Sequence, residues 1–355
     1  MKGLILSGGK GTRLRPITYT GAKQLIPVAN KPVLFYGIEA IKEAGINEIG
    51  IIVGDTASEV KQTVGDGSKW GLNIVYIQQE APLGLAHAVK IAQDYIGNDD
   101  FIMYLGDNLI KSGVTSIVKE FQREKPDSSI LLSKVPNPQQ FGVAQLDSNG
   151  NVLKLIEKPK EPPSNLALVG VYLFNKNIFK AVNSIKPSAR GELEITDAIQ
   201  WLIENNYKVK PHIIKGWWKD TGKKDDMLEA NRIMLDNLEL DINGIVDSKS
   251  IIHGNVVIGE GSKIENSTIR GPVIIGKNVK IIDSYLGPYT SISDSVVIKS
   301  SEIEHSIILE NSKILDINGR IEDSLIGKNV EVKRVESKPK AYKFMLGDQS
   351  EVDII

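Results

Sequence analysis

Leu4-Ile5-Leu6-Ser7-Gly8-Gly9-Lys10-Gly11-Thr12-Arg13-Leu14-Arg15-Pro16 is the stretch from which the rest of the chain can be read. It opens with an apolar run long enough for one buried strand, then breaks into a glycine-rich turn carrying two arginines. Glycines at 8, 9 and 11 let backbone N–H groups approach an anion, because no Cβ stands in the way. Arg13 and Arg15 offer charge to phosphate oxygens. The spacing fits neither the P-loop nor the dinucleotide-binding fingerprint. Taken alone, the same residues also describe an ordinary strand-to-loop turn.

Beyond the turn, strand-like and helix-like patterns alternate through the first hundred residues. Strands are expected over 3–7, 48–53, 73–78 and 101–105, and helices over 33–44, 56–64 and 85–95. This alternation predicts an α/β domain, a Rossmann-like and mostly parallel sheet with helices on both faces. Ligands of such sheets sit at the carboxyl ends of the strands. Gly8, Gln79 and Asp107 each fall just after a predicted strand, so they converge on one rim. A second helix–strand–loop stretch spans 111–140, and an amphipathic helix over 224–240 bridges to a second domain.

Composition bounds the reading. The chain has 355 residues, 41% of them hydrophobic, enough for two domains with sizeable cores. A net charge of −1 provides no global field to recruit nucleic acid or an anionic membrane. With no cysteine, disulfides, thiolate zinc sites and cysteine nucleophiles are excluded. The apolar run after Lys2 is too short for a secretory signal, and no run reaches the ~20 residues of a membrane span, so a cytoplasmic protein is expected.

Several segments carry chemistry. Gln79 offers a donor and an acceptor, which suits the imide edge of thymine or uracil. Asp107, at a strand end after Gly106, is a hard oxygen ligand of the kind Mg²⁺ prefers, although turns use Gly-Asp constantly. Glu157-Lys158-Pro159 by itself reads as a solvated acid–base pair before a proline turn.

Lys23-Gln24-Leu25-Ile26-Pro27-Val28, read with the glycine turn and Asn30-Lys31-Pro32, resembles the sugar-phosphate nucleotidylyltransferase family. Within it the chain is most similar to the glucose-1-phosphate thymidylyltransferases of the long form. Leu155-Ile156-Glu157-Lys158-Pro159, Val169-Gly170-Val171-Tyr172, the 186–197 segment and Trp217-Trp218-Lys219-Asp220-Thr221-Gly222 continue the resemblance. It implies Mg²⁺-dependent transfer of a nucleotidyl group from dTTP to glucose 1-phosphate. It assigns the nucleotide to Leu6, Gly8, Gly9, Gly11, Thr12, Arg13, Gln24, Gln79 and Gly84. It assigns the sugar phosphate to Asn108, Gly142, Glu157, Lys158, Gly170, Tyr172 and Arg190. Arg13, Lys23, Asp107, Lys158 and Asp220 are the implied catalytic set, with Asp107 and Asp220 holding the metal. The loop Pro82-Leu83-Gly84-Leu85-Ala86-His87 departs from the family's usual Pro-Asp-Gly-Leu-Ala-Gln, which leaves UTP as the alternative donor. His87 itself reads as an exposed or packed helix histidine.

From about residue 245 the rhythm changes. Aliphatic residues recur every five or six positions at Ile258, Ile264, Ile269, Ile275, Ile281, Leu286, Ile292, Ile298 and Ile303. This is the hexapeptide pattern of a left-handed parallel β-helix, a fold that often builds homo-oligomers, frequently trimers. The domains expected are 1–240 and 245–355, with 341–355 as a capping strand. His253 and His305 are the candidates for an acyltransferase base on such a helix, but no companion motif accompanies them, so a structural role is expected. A non-catalytic scaffold relative is the competing class, disfavoured because the implied catalytic residues are all present.

Overall fold

The computed structural model describes residues 1–336, 338 and 341–354. The chain divides into two compact units. Met1–Lys10, Gly21–Leu25 and Val33–Asp220 form the first; Gly11–Thr20, Ile26–Pro32 and the described residues from Thr221 onward form the second.

The first unit is built on a nine-stranded mixed sheet. Lys2–Ser7 lies between Glu48–Val53 and Phe101–Leu105, with Asn73–Gln78 outside, and all these pairings are parallel. Successive side chains of a strand point to opposite faces. Leu4 and Leu6 therefore enter one apolar core while Ile5 enters the other. Helices cover both faces, which is why these strands read as unbroken apolar runs. The register pairs Ser7 with Val53, Val53 with Gln78 and Leu6 with Leu105. The residues that succeed these strands consequently emerge at one edge.

The other half of the sheet is antiparallel, except that Val209–Ile213 runs parallel to Ser128–Lys134. Leu166–Phe174 pairs with Phe101–Leu105, Ser128–Lys134 and Gly142–Leu146, and the last of these forms a hairpin with Val152–Glu157. The helix expected over 85–95 is two pieces, Leu85–Ile91 and Gln93–Ile96, because Ala92 sits at ψ near 0° and tightens the turn.

The second unit is a left-handed parallel β-helix with three sheets of six, six and five short strands. Ile258, Ile275, Ile292, Ile308 and Ile326 stack on one wall; Ile264, Ile281, Ile298 and Ile314 stack on the second. Ile269, Leu286, Ile303 and Ile321 form the third. All nine aliphatic positions singled out in the sequence are buried in this core. Corner residues such as Asn266, Asn278, Asp283 and Asn311 take the left-handed conformation that Asn and Asp tolerate. One corner carries a serine ladder: the Ser267 hydroxyl accepts from the Ser284 N–H at 3.0 Å, and the Ser284 hydroxyl accepts from the Ser301 N–H at 3.3 Å. Ile281→Ala removes a fully buried side chain from between Ile264 and Ile298, and about 2–5 kcal/mol of stability should go with it, read by urea unfolding.

The helix expected over 224–240 ends at Leu235 and belongs to the second unit. A buried clasp explains the grouping. Asn231 on that helix accepts from the Ala29 N–H at 2.8 Å and the Ser291 hydroxyl at 2.7 Å. Its amide donates to the Tyr289 carbonyl at 3.1 Å, while Asn30 donates to the Ile292 carbonyl at 2.7 Å. The capping strand expected over 341–355 does not form among residues 341–354, and Ile355 lies outside the described residues. Glu331–Lys333 is the last strand, and Tyr342, Phe344, Met345 and Leu346 are exposed rather than packed as a cap requires.

Candidate active site

Gly8, Gln79 and Asp107 do emerge at one edge of the first unit. A Cβ built on Gly8 would lie 3.2 Å from Oε1 of Gln79, and one on Gly9 would lie 3.7 Å from Cε of Lys23 and 3.8 Å from Nε2 of Gln24. The glycines therefore let backbone, amides and ammonium crowd into one small region. Gln24 is buried, and its Oε1 has no hydrogen-bond partner. The Leu6 side chain packs in the core, and its carbonyl accepts from the Gly106 N–H at 2.9 Å.

Asp107 is the electrostatic centre. Its Oδ2 takes the Lys23 ammonium, and its Oδ1 accepts from the Asn108 amide at 2.9 Å. Burial pushes the carboxyl up, but Lys23 and Asn108 outweigh it and hold the group below the usual carboxylate range. Asn108 is itself fixed, since its Oδ1 accepts from the Trp218 indole and its carbonyl accepts from the Tyr104 hydroxyl. Asn108–Ile110 pairs antiparallel with Trp218–Asp220, placing Asp220 opposite Asn108. Asp220, distant in sequence, thus lies opposite the residue that follows Asp107. Gly170 makes room for this arrangement: a Cβ there would lie 2.9 Å from the Asn108 side chain.

The loop after Asn73–Gln78 is stapled from the side. The Leu193 N–H donates to the Leu83 carbonyl at 2.8 Å, and the Ala86 N–H donates to the Leu193 carbonyl at 3.0 Å. Gly84 lies against this staple at φ 102°, and a Cβ on it would stand 2.4 Å from the Leu193 carbonyl oxygen. Gly84→Ala should therefore displace the loop, raising KM for the nucleotide at least tenfold with a smaller change in kcat, in steady-state assays. Both N–H groups of the Gln79 amide are engaged, one by the Gly84 carbonyl at 3.3 Å and one by Nδ1 of His87 at 3.1 Å. The expectation that Gln79 offers both donor and acceptor is thus narrowed to the acceptor, which faces Gly8. His87, expected as a structural histidine, is a partner of Gln79.

Glu157 and Arg190 meet on the antiparallel side. Oε1 of Glu157 accepts from Arg190 at 3.4 Å, and Oε2 accepts from the Thr196 hydroxyl at 3.3 Å. Burial and the neighbouring Glu194 raise the Glu157 pKa, opposed by Lys158, Arg190 and Thr196. Gly142 is pressed beneath them; a Cβ there would stand 2.7 Å from Cγ2 of Thr196. Lys158 is next in the chain at φ 41°, its N–H donating to the Phe141 carbonyl at 3.0 Å. Tyr172 is buried, its hydroxyl pKa raised by burial and by Glu157. Gly142, Glu157, Arg190 and Thr196 form one cluster, to which Thr196 was added only by the structure.

Gly11, Thr12 and Arg13 belong to the second unit. Gly11 adopts φ 61° and opens a single 3-10 turn, Thr12–Leu14, and its carbonyl accepts from the Thr18 hydroxyl at 2.7 Å. The Arg13 guanidinium lies against Gly222: a Cβ there would stand 2.4 Å from Nη2. Trp218, Leu193 and Gly222 place other residues: Trp218 holds Asn108, Leu193 staples the 83–86 loop and Gly222 seats the Arg13 guanidinium. No helix among the described residues is long and apolar enough to cross a membrane.

Residues 2–237 match the nucleotidyl transferase family, and the chain belongs to it. It is 56% identical over 355 residues to a glucose-1-phosphate thymidylyltransferase of Streptomyces antibioticus, covering 100% of this chain and 99% of that protein. A protein of the same name from Streptomyces griseus is 52% identical over 354 residues, with 100% and 99% covered. A solved structure from Bacillus anthracis, described as a candidate glucose-1-phosphate thymidylyltransferase in complex with a sucrose, superposes with a TM-score of 0.63 at 35% identity. It covers 68% of this chain and 97% of its own.

Proposed function

We propose that the chain catalyses Mg²⁺-dependent transfer of a thymidylyl group from dTTP to glucose 1-phosphate, giving dTDP-glucose and pyrophosphate. The carrying observation is the rim around Asp107, where Lys23, Asn108 and the strand bearing Asp220 gather, on a chain with full-length relatives of that name. Residues 1–240 are assigned the transfer reaction and 245–355 the β-helix, in a cytoplasmic homo-oligomer.

A phosphate oxygen of glucose 1-phosphate attacks the α-phosphorus of dTTP. The bond from that phosphorus to the β-bridging oxygen breaks in line, and its electron pair leaves with pyrophosphate. No covalent enzyme intermediate forms, so the protein's part is positioning and charge neutralisation. Arg13 neutralises the leaving phosphates, and Lys23 the charge at the α-phosphate. Lys158 and Arg190 hold the attacking phosphate, while Glu157 and Asn108 accept and donate to sugar hydroxyls.

The donor set fits a magnesium ion. Lys23 and Asn108 hold the Asp107 carboxyl below the usual carboxylate range, and Asp220 comes from the paired strand. Among the described residues there is no cluster of three or more acidic or histidine ligands. A small cation held by few carboxylates, completed by water and phosphate, matches that arrangement. Bound there, Mg²⁺ supplies Lewis-acid screening of the triphosphate.

A second reading, UTP as donor, is equally compatible with the Gln79 geometry, because its outward Oε1 can accept from N3–H, which thymine and uracil share. Pyrophosphate release with glucose 1-phosphate and Mg²⁺ tests both, comparing dTTP, UTP, ATP, GTP and CTP against a no-sugar control. Sugar-dependent release favouring dTTP is expected. A UTP preference keeps the mechanism and removes the thymidylyl assignment. Silence with every nucleotide and with other sugar 1-phosphates overturns the reading and returns the scaffold alternative.

A further inference from the structure

We propose that His87 decides which end of the Gln79 amide faces the nucleotide base, and so makes the pocket accept imide pyrimidines and reject cytosine. This rests on the reading of Gln79 as the base-facing residue in a dTTP- or UTP-using site.

A glutamine amide has a donor end and an acceptor end, and rotating it by half a turn exchanges them. Here the donor end points inward. It meets the Gly84 carbonyl at 3.3 Å and Nδ1 of His87 at 3.1 Å, while Oε1 is left toward Gly8. The Gly84 carbonyl can only accept. Nδ1 can do either, according to which ring nitrogen carries the proton. An unprotonated Nδ1 accepts, so both inward contacts want N–H and the amide is locked with oxygen outward. A protonated Nδ1 would face an N–H, and one of the two contacts would be lost in either orientation. His87 therefore supplies the second half of the lock. Burial and the neighbouring Lys90 both lower the His87 pKa, which favours the neutral ring.

The bases set the consequence for recognition. Thymine and uracil carry a hydrogen at N3, which Oε1 accepts. Cytosine carries a lone pair at N3, which Oε1 repels. An amide free to rotate could serve either base. A locked one leaves cytosine facing an unpaired buried acceptor, the kind of mismatch that gives strong discrimination. Gln79 is only 9% exposed, so water gives little relief. The lock is indifferent to the 5-methyl group and leaves the choice between dTTP and UTP to other contacts. His87 acts through Gln79, so it is a positioning residue.

The test is steady-state kinetics with dTTP, UTP and dCTP on wild type, His87→Leu and His87→Gln, together with the imidazole ¹⁵N shifts of the wild-type protein. His87→Leu removes the second acceptor. KM for dTTP should rise about tenfold with kcat within about threefold, and the preference for dTTP over dCTP should fall about tenfold, the range for one lost hydrogen bond. His87→Gln can present a carbonyl to the same N–H and should restore most of the preference. The nitrogen shifts should report an unprotonated Nδ1. Unchanged KM and unchanged preference in His87→Leu overturn the proposal, as does a proton resident on Nδ1. Should His87→Leu fail to fold, the tautomer and the His87→Gln selectivity decide. A wild type silent with every nucleotide indicts the functional reading instead, because that outcome precedes any comparison of variants.

Discussion

Asp107→Asn should lower kcat about a thousandfold on the proposed role, the size expected when a charged group that organises a phosphoryl-transfer centre is neutralised. The substitution keeps the shape and removes the charge. Its cost to folding is separable from its cost to chemistry. Lys23 and Asp107 are 12% and 15% exposed, so the ammonium is left largely out of water without its carboxylate. Breaking such a pair by removing one member is destabilising by about 3–5 kcal/mol when fully buried, and somewhat less here. Thermal unfolding of Asp107→Asn should therefore show a lowered Tm. In the double variant Asp107→Asn/Lys23→Met the stranded charge is gone, and much of that Tm should return. Activity should not return with it, since Lys23 is assigned to the α-phosphate and Asp107 to the metal. Activity recovering in parallel with Tm would make Asp107 a folding residue and remove it from the mechanism.

Arg13→Ala is the second large effect: kcat/KM should fall by about two to three orders of magnitude, within the range seen for a cation that meets transition-state charge on transferring phosphates. Arg13 is exposed, so the Tm should move by little. Arg13→Lys should recover only part of the loss, because an ammonium cannot make the paired contacts of a guanidinium. Gly222 provides an internal control. A Cβ at Gly222 would stand 2.4 Å from Nη2 of Arg13, and the end of a flexible side chain can move aside. Gly222→Ala should therefore fold normally yet lose roughly tenfold in kcat/KM, through a displaced guanidinium. In an Arg13→Ala background the same substitution should cost almost nothing further. Full additivity of the two losses would show that Gly222 acts on something other than Arg13.

Much of the architecture was legible in the order of the residues. Strand periodicity and helix spacing located the parallel half of the sheet, because side chains buried on both faces leave continuous apolar runs. The β-helix was legible because its interior admits one aliphatic residue per side, which stamps a short period on the chain. The antiparallel half was less legible: half-covered strands and hairpins leave weaker patterns, and Gly142, Glu157 and Thr196 come together only through pairing. The aromatic and aliphatic residues at 342–346 have the sequence pattern of a cap, whereas in the fold they are exposed.

By itself the sequence determined the fold types and the family and singled out the candidate site residues, since these depend on residue kind and on spacing within short segments. Only the tertiary structure decided how those residues are held. Asp220 reaches the neighbourhood of Asp107 through a strand pair spanning more than a hundred residues of chain. Gly170 and Gly222 matter for the side chains they admit, which no local pattern records. His87 is the clearest case. In sequence it is one histidine on a helix; in the fold its Nδ1 lies 3.1 Å from the Gln79 amide. The physical reason is general: composition and period report what a segment buries, while the orientation of a polar group depends on partners that only folding brings within hydrogen-bond distance.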